Sequence, residues 1–336
     1  MPFEISKRAL LSQALDITGC GVALRASRIW HGVLILNYHR IGESHRSLLD
    51  RNLWSATLDD FDFQVGLASK NFDVVGLNDL EQVLGERRGR YVMFTFDDGY
   101  RDNYTHAYQV LRSHGVPATF FLTTGFLDRP QVPWWDEIAW MVRTSPLLAL
   151  DVNRWTSTPV PFDEPNREIA IHRLLNVFKG LPGELTADYM EFLSEALQSG
   201  RCPAAVAREL WMTWDMVREM RRGGMSFGGH TVSHPILANL SAEQQDWEIA
   251  ECKRRLVNEL GEPVFAFSYP VGGRSSFNAF TRTSLTEHGF RLAFTYHGTY
   301  CRPGHKDLHS ISRTAIETDI DAPQFRAVLT LPQVFA

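Results

Sequence analysis

Two adjacent carboxylates, Asp97 and Asp98, close the run YVMFTF at 91–96, and Gly99 follows them. The apolar run reads as a strand buried on both faces, because such strands are continuously hydrophobic rather than alternating. Carboxylates at the mouth of such a strand need a partner charge or a proton, since desolvation penalises the ionised form. A divalent metal would supply that charge. Consecutive strand residues face opposite sides, so one carboxylate can face a metal while its neighbour faces something else, which gives the pair two roles, ligand and base. Taken alone, Asp-Asp-Gly also reads as a turn with a helix N-cap at Asp98 or Asp102.

A second motif bears on that choice. His230 and His234 stand four residues apart in HTVSHP, directly after a short strand expected over 225–229. If a helical turn begins at the strand exit, that spacing puts both imidazoles on one face, at the separation a zinc ion bridges. An isolated HxxxH is equally a polar loop with two unrelated histidines. Combined with DDG at another strand exit it carries more weight, because both motifs then fall at the same end of a parallel sheet.

The elements that must position these groups alternate regularly. VLILNY at 33–38 is the first core strand and ends at His39 and Arg40, where polar residues at strand exits build barrel sites. His39 is a candidate site residue or a histidine hydrogen-bonded at a strand end. Helical spacing over 57–70 is followed by strand signals at 72–75, a short helix at 77–84, a helix at 102–114 stopped by Gly115 and Pro117, and a strand at 118–122. Further on, a helix at 213–222 starts at the N-cap Thr213, a long helix at 241–260 ends at Gly261, strands fall at 264–268 and 290–295, and helices at 281–288 and 321–330. This order predicts an α/β protein with a parallel sheet or barrel and right-handed crossovers. Between 130 and 212 the character changes: PWWDEIAW, a Pro- and Thr-interrupted stretch and two helical stretches predict a helical insertion with no comparable strand. Insertions at that barrel face shape substrate access.

With 44% apolar and 22% charged residues the chain is an ordinary globular one, and a net charge of −5 gives no basic footprint for nucleic acid. Four separated cysteines without a CxxC pair fit reduced thiols and a cytoplasmic setting. Residues 1–30 read as an amphipathic helical segment broken at 19–21, too polar and short to span a bilayer, which either packs on the body or makes peripheral membrane contact. The body is expected over 31–320 and a C-terminal helix and tail over 321–336.

TFDDGYRDNY at 95–104 and HTVSHP at 230–235 resemble the first two signature motifs of the polysaccharide deacetylases, the NodB-homology carbohydrate esterases. LNYHRIG near the start and FSYPVGG at 267–273 resemble the exopolysaccharide-biosynthesis branch. The resemblance implies a distorted, incompletely closed (β/α)7 barrel with a helical insertion, and a hydrolase that removes an N-acetyl group from an amino sugar of a polysaccharide or lipid-linked glycan. By the same resemblance Asp97 is the base, and Asp98, His230 and His234 hold a divalent metal, expected to be zinc. Tyr269 and Pro270 would shape the groove wall. Trp135, with Trp134 and Trp140, would stack on sugar rings or anchor the insertion. Two positions depart from the pattern. An arginine that orients the base in many members is replaced by Ser268, for which Arg313 is the candidate substitute, with a surface arginine on a terminal strand as the alternative. The general acid has no clear motif, and of the late histidines His297 and His309, His309 ranks first. A glycan-binding module without turnover, and an O-acetyl esterase or other amide deacylase, are the competing readings.

Overall fold

The computed structural model describes residues 7–336. The first six residues of the expected 1–30 segment lie outside the described residues. Seven strands form one curled parallel sheet: β1 (Gly32–Tyr38), β3 (Arg90–Phe96), β4 (Ala118–Leu122), β5 (Ser226–Gly229), β6 (Ala266–Ser268), β7 (Leu292–Phe294) and β8 (Thr314–Ala315), with the short β2 (Asp73–Val74) beside the first half of β3. Their spatial order is β7-β6-β5-β4-β3-β1-β8. The central pair β1 and β3 runs in register from Gly32 opposite Arg90 to Tyr38 opposite Phe96. Every residue of β1 is buried, which is why its sequence is apolar on both faces.

Because all these strands are parallel, their C-terminal ends share one rim. That rim carries His39, Asp97, Asp98, His230 and Tyr269. The sheet is the distorted, incompletely closed barrel expected from the sequence. At the gap, Ile311 forms a single parallel bridge with Phe294 of β7, and three residues later Thr314 pairs with Leu36 of β1. The segment 311–315 therefore crosses between the two edges.

Local signals explain the surrounding helices. Thr57 caps Leu58–Asn71 by accepting from the Asp60 amide, and Ser241 with Gln244 forms a capping box on Ala242–Leu260, which ends at Gly261 in the left-handed region. Two N-terminal helices, Lys7–Ile17 and Cys20–Ala26, break at Gly19 and pack on the C-terminal helix Ala322–Thr330, through Arg326 to Asp16 at 2.9 Å and Arg25 Nη1 to Thr330 Oγ1 at 2.8 Å. Among the described residues no helix is long and apolar enough to cross a membrane.

The insertion is richer than its sequence suggests. After the opening helix Trp134–Thr144 it holds three further α-helices, Arg167–Gly180, Thr186–Ala196 and Ala204–Leu210, where two helical stretches were expected. A two-rung antiparallel pair, Ala149–Leu150 with Val160–Pro161, is too short to show an alternating pattern in sequence. Ile138, Val142, Ile171, Leu174, Tyr189 and Leu193 give the insertion its own apolar cluster.

One glycine sets how closely β4, β5 and β6 approach. A Cβ on Gly228 would lie 2.5 Å from the Phe121 ring and 2.7 Å from the Ala266 carbonyl oxygen, closer than real contacts allow. Gly228→Ala is expected to lower stability by about 1–3 kcal/mol, the usual cost of overpacking, read from the urea midpoint of unfolding. An unchanged midpoint would contradict the close approach.

Candidate metal centre and catalytic pocket

Asp97 and Asp98 leave β3 in different directions. The Asp97 amide still donates to Tyr38 of β1 at 3.0 Å, whereas Asp98 adopts φ 74°, a left-handed conformation that a non-glycine residue seldom takes. Its carbonyl accepts from the Thr123 amide at the end of β4. Neither aspartate caps a helix through its side chain. Asp102, the other cap candidate, instead accepts from Arg40 Nε at 2.9 Å and from the Ile41 amide at 3.1 Å.

His230 and His234 converge without the helical turn anticipated from their spacing. Residues 230–236 form a loop in which Thr231 and His234 have φ of 67° and 57°. The loop is fixed by its backbone. Thr124 and Gly125 amides donate to the Thr231 and Val232 carbonyls, while the Val232 and Ser233 amides donate to Glu248 Oε2 at 2.7 and 3.0 Å. Glu248 lies on Ala242–Leu260 and was not singled out in the sequence, where it looks like one more helix-surface carboxylate.

Asp98, His230 and His234 each bring one ligand atom to within 4.8 Å of the others, and all three residues are buried. His230 donates from Nδ1 to the Ser268 carbonyl at 2.7 Å, which leaves its Nε2 lone pair facing Asp98. Burial pushes the His234 imidazole down to about 3, so it is neutral, as a ligand must be. Asp98 Oδ1 is buried and accepts no directed hydrogen bond, although the two Nε2 atoms lie 3.3 and 3.4 Å away. A cation among these three atoms is the partner that such a set lacks, so the residues fit a divalent metal.

Beside them Asp97 is held by Arg313. Nη1 and Nη2 donate to the two carboxylate oxygens at 2.8 and 2.7 Å, a bidentate pair with both side chains almost fully buried. Arg313 also donates to Asn37 Oδ1, Ser268 Oγ and the Thr295 carbonyl. Burial opposes ionisation of Asp97, but Arg313 above all, with His230 and His39, outweighs it and holds the carboxyl well below the usual carboxylate range. Ser268 contacts both partners, accepting from Arg313 Nη2 at 2.8 Å and with its Oγ 3.3 Å from Asp97 Oδ2.

These groups open into a cavity of about 600 Å³ whose walls include His39, Trp135, Tyr269 and Tyr296. His39 is pinned by its backbone, its amide donating to Ser55 Oγ and its carbonyl accepting from Asn103 Nδ2, and its ring meets Tyr296 edge-on at 5.6 Å. Two expectations are corrected. His309 is outside the cavity, with Nε2 3.0 Å from the Phe290 carbonyl oxygen before β7, at the far side from the strand exits. His297 likewise turns Nδ1 to the Gly272 carbonyl oxygen. Pro270 is buried and does not line the cavity; Val271, at φ 61°, takes that place.

Comparison with known proteins accords with this geometry. Residues 85–146 and 186–293 match the family described as Polysaccharide deacetylase. The chain belongs to the polysaccharide deacetylase family. It is 22% identical over 204 residues to a putative polysaccharide deacetylase, YxkH, of Bacillus subtilis; the match covers 61% of this chain and 44% of that protein. The chain thus spans less than half the length of this curated relative. Among solved structures, the Streptococcus pyogenes deacetylase PplD superposes with a TM-score of 0.58 at 19% identity, covering 91% of this chain and 98% of that one. IcaB from Ammonifex degensii gives 0.56 at 20% identity, covering 89% and 97%.

Behind the metal ligands lies a polar chain that the sequence did not disclose. The Trp135 ring meets His234 at 4.4 Å; its Nε1 donates to the Tyr100 hydroxyl, which donates to Asp136 Oδ2, both at 2.8 Å. Asp136 Oδ1 accepts from the Asp50 amide at 3.0 Å. Burial, against the opposing pull of Arg40 and the Tyr100 hydrogen bond, raises the Asp136 carboxyl to about 7. A carboxyl whose folded value is raised binds protons more tightly in the folded state, so its contribution to stability is full below about pH 4 and is lost as pH rises through about 7. Asp136→Asn is expected to remove this slope, raising Tm relative to the parent chain at about pH 8 and not at about pH 4. Parallel Tm profiles for the two proteins would refute the assignment.

Proposed function

We propose that this pocket catalyses metal-dependent removal of an N-acetyl group from an amino sugar of a glycan. The observation that carries this reading is the ionised, arginine-held Asp97 beside the convergent ligands Asp98, His230 and His234. An Asp-His-His set leaves open positions, as a catalytic zinc requires, and zinc is the metal assigned here. When bound, the metal supplies Lewis acidity, polarising the amide carbonyl and acidifying water.

The protein's own groups then divide the proton transfers. Asp97 accepts a proton from the attacking water, and its two bonds to Arg313 fix which oxygen edge faces the cavity. The departing amine nitrogen needs a proton as the C–N bond breaks, and His39 is the residue assigned to give it. His39 lines the same cavity as both aspartates. It replaces His309 in this role. Trp135, Tyr269 and Tyr296 bound the space for the sugar and the acetyl group. Acetate, named in the PplD complex, is the acid this reaction would release.

The non-catalytic alternative was motivated by Ser268 and by the missing acid. Arg313 beside Asp97 and His39 in the cavity argue against it. Peripheral membrane contact belongs to the same proposal, since Leu10, Leu11, Ile17 and Val22 stay exposed on the N-terminal helices.

Purified protein is expected to bind about one divalent metal per chain and to release acetate from N-acetylglucosamine oligomers in a chelator-sensitive manner. Asp97→Asn should keep the metal and lose roughly 10²–10⁴-fold in kcat, while His230→Ala should lose the metal itself. Metal loss in the first variant and retention in the second would reverse the division of labour and sink the mechanism. His39→Gln should keep the metal and lower kcat; an unchanged kcat would exclude His39 as the acid.

A further inference from the structure

A second cavity, of about 510 Å³, adjoins the catalytic one and shares Trp134 and His234 with it. Trp134 is the partition. Its indole stacks flat on Phe178 at 4.3 Å and donates to the His234 carbonyl at 3.4 Å. The outer wall is the first turn and a half of Ala242–Leu260, which presents Glu243, Gln244 and Trp247 to the cavity. Trp247 is 55% exposed, and its indole makes no ring contact or hydrogen bond to another described residue. An exposed indole that lines a formed cavity offers a flat apolar face for stacking.

We propose that this cavity is a sugar subsite, in which the residue next to the one being deacetylated stacks on Trp247. The inference rests on the deacetylase reading and makes the substrate an oligosaccharide or polymer. The chemistry favours a pyranose over the other candidates. An indole face meets the C–H face of a sugar ring, while Glu243 and Gln244 stand beside it as hydrogen-bonding groups for hydroxyls. Gln244 has capacity to spare: it accepts from the Ser241 amide through Oε1, which leaves its amide NH₂ free, while Glu243 Oε2 accepts from the Ser241 hydroxyl. A carboxylate at the mouth, and the buried Glu248 behind the loop, disfavour the phosphate of a lipid-linked sugar there. A hydrocarbon tail would leave these polar groups unpaired.

The test compares the metal-loaded parent chain with Trp247→Ala and Trp247→Phe on N-acetylglucosamine monomer, dimer and tetramer. Trp247→Ala is expected to lower kcat/KM for the tetramer about three- to tenfold through KM, leave kcat and the monomer rate unchanged, and be rescued by Trp247→Phe. Equal kcat/KM for the tetramer in the alanine variant and the parent chain would overturn the subsite. Tetramer affinity is measured in parallel by calorimetry on Asp97→Asn with and without Trp247→Ala. If no length is turned over, the deacetylase reading fails, and the subsite stands or falls on whether removing Trp247 weakens tetramer binding. No tetramer binding to either protein overturns it as well.

Discussion

The buried pair of Arg313 and Asp97 is the interaction on which the rest of the structure depends. A guanidinium and a carboxylate removed from water are costly unless every donor is used, and removing one partner of such a pair typically costs about 3–5 kcal/mol because the other charge is stranded. Here the donors are used by groups from separate strands: Asn37 on β1, Asp97 after β3, Ser268 on β6 and the Thr295 carbonyl after β7. Arg313 itself comes from the segment that crosses the gap between the sheet's edges. Satisfying this one side chain therefore requires the sheet to curl until β1 and β7 lie near each other. The charge pair and the incomplete closure are one constraint, and Asp97 is oriented by the same bonds that close the fold.

Strain gathers at the same rim. Six non-glycine residues have positive φ among those described; three of them, Asp98, His234 and Val271, line the pocket, and a fourth, Thr231, follows the pocket residue His230. Each such conformation costs on the order of 1–3 kcal/mol and persists only where its surroundings over-determine it. For the histidine loop those surroundings are visible: two amides from the helix start after β4 on one side, and Glu248 accepting from two loop amides on the other. The loop is thus set into shape by neighbours before any ligand arrives, and His230 is oriented by its bond to Ser268.

This division explains what could be read from sequence. Strands such as 33–38 and 118–122, and caps such as Thr213 and Gly261, are written locally, in apolar runs and capping residues, and their boundaries were legible to within a residue or two. The ligand types at strand exits were legible as well, because carboxylates and histidines there have few other uses. The path between His230 and His234 was not, since a four-residue spacing is shared by a helical turn and by a loop held in left-handed conformations. Arg313 could be named only as one of two possibilities, because its burial is decided by four partners distant in sequence. His309 and Pro270 were chosen from sequence position, which carries no information about which way a side chain faces. Glu248 and Asp136 gave no signal at all: each is a carboxylate in a helix, and only packing turns it into a clamp.

The insertion carries this argument furthest. It leaves the barrel after β4 and returns where Trp211 forms an antiparallel bridge with Tyr100 and Met212 donates to the Gly99 carbonyl, just beyond the two aspartates. Both its ends are therefore tied to the rim. Its first helix supplies Trp135 against His234 and Asp136 beneath Tyr100, and Tyr100 in turn lies under Arg40 at 4.4 Å from the strand exit of β1. A segment with its own apolar cluster could in principle be exchanged without disturbing the barrel. This one cannot, because its buried polar chain is completed by residues of the barrel and would be left unsatisfied alone. The wall of the cavity and the back support of His234 are the same helix, so the shape of the cavity and the geometry of the Asp98, His230 and His234 cluster are bound to change together.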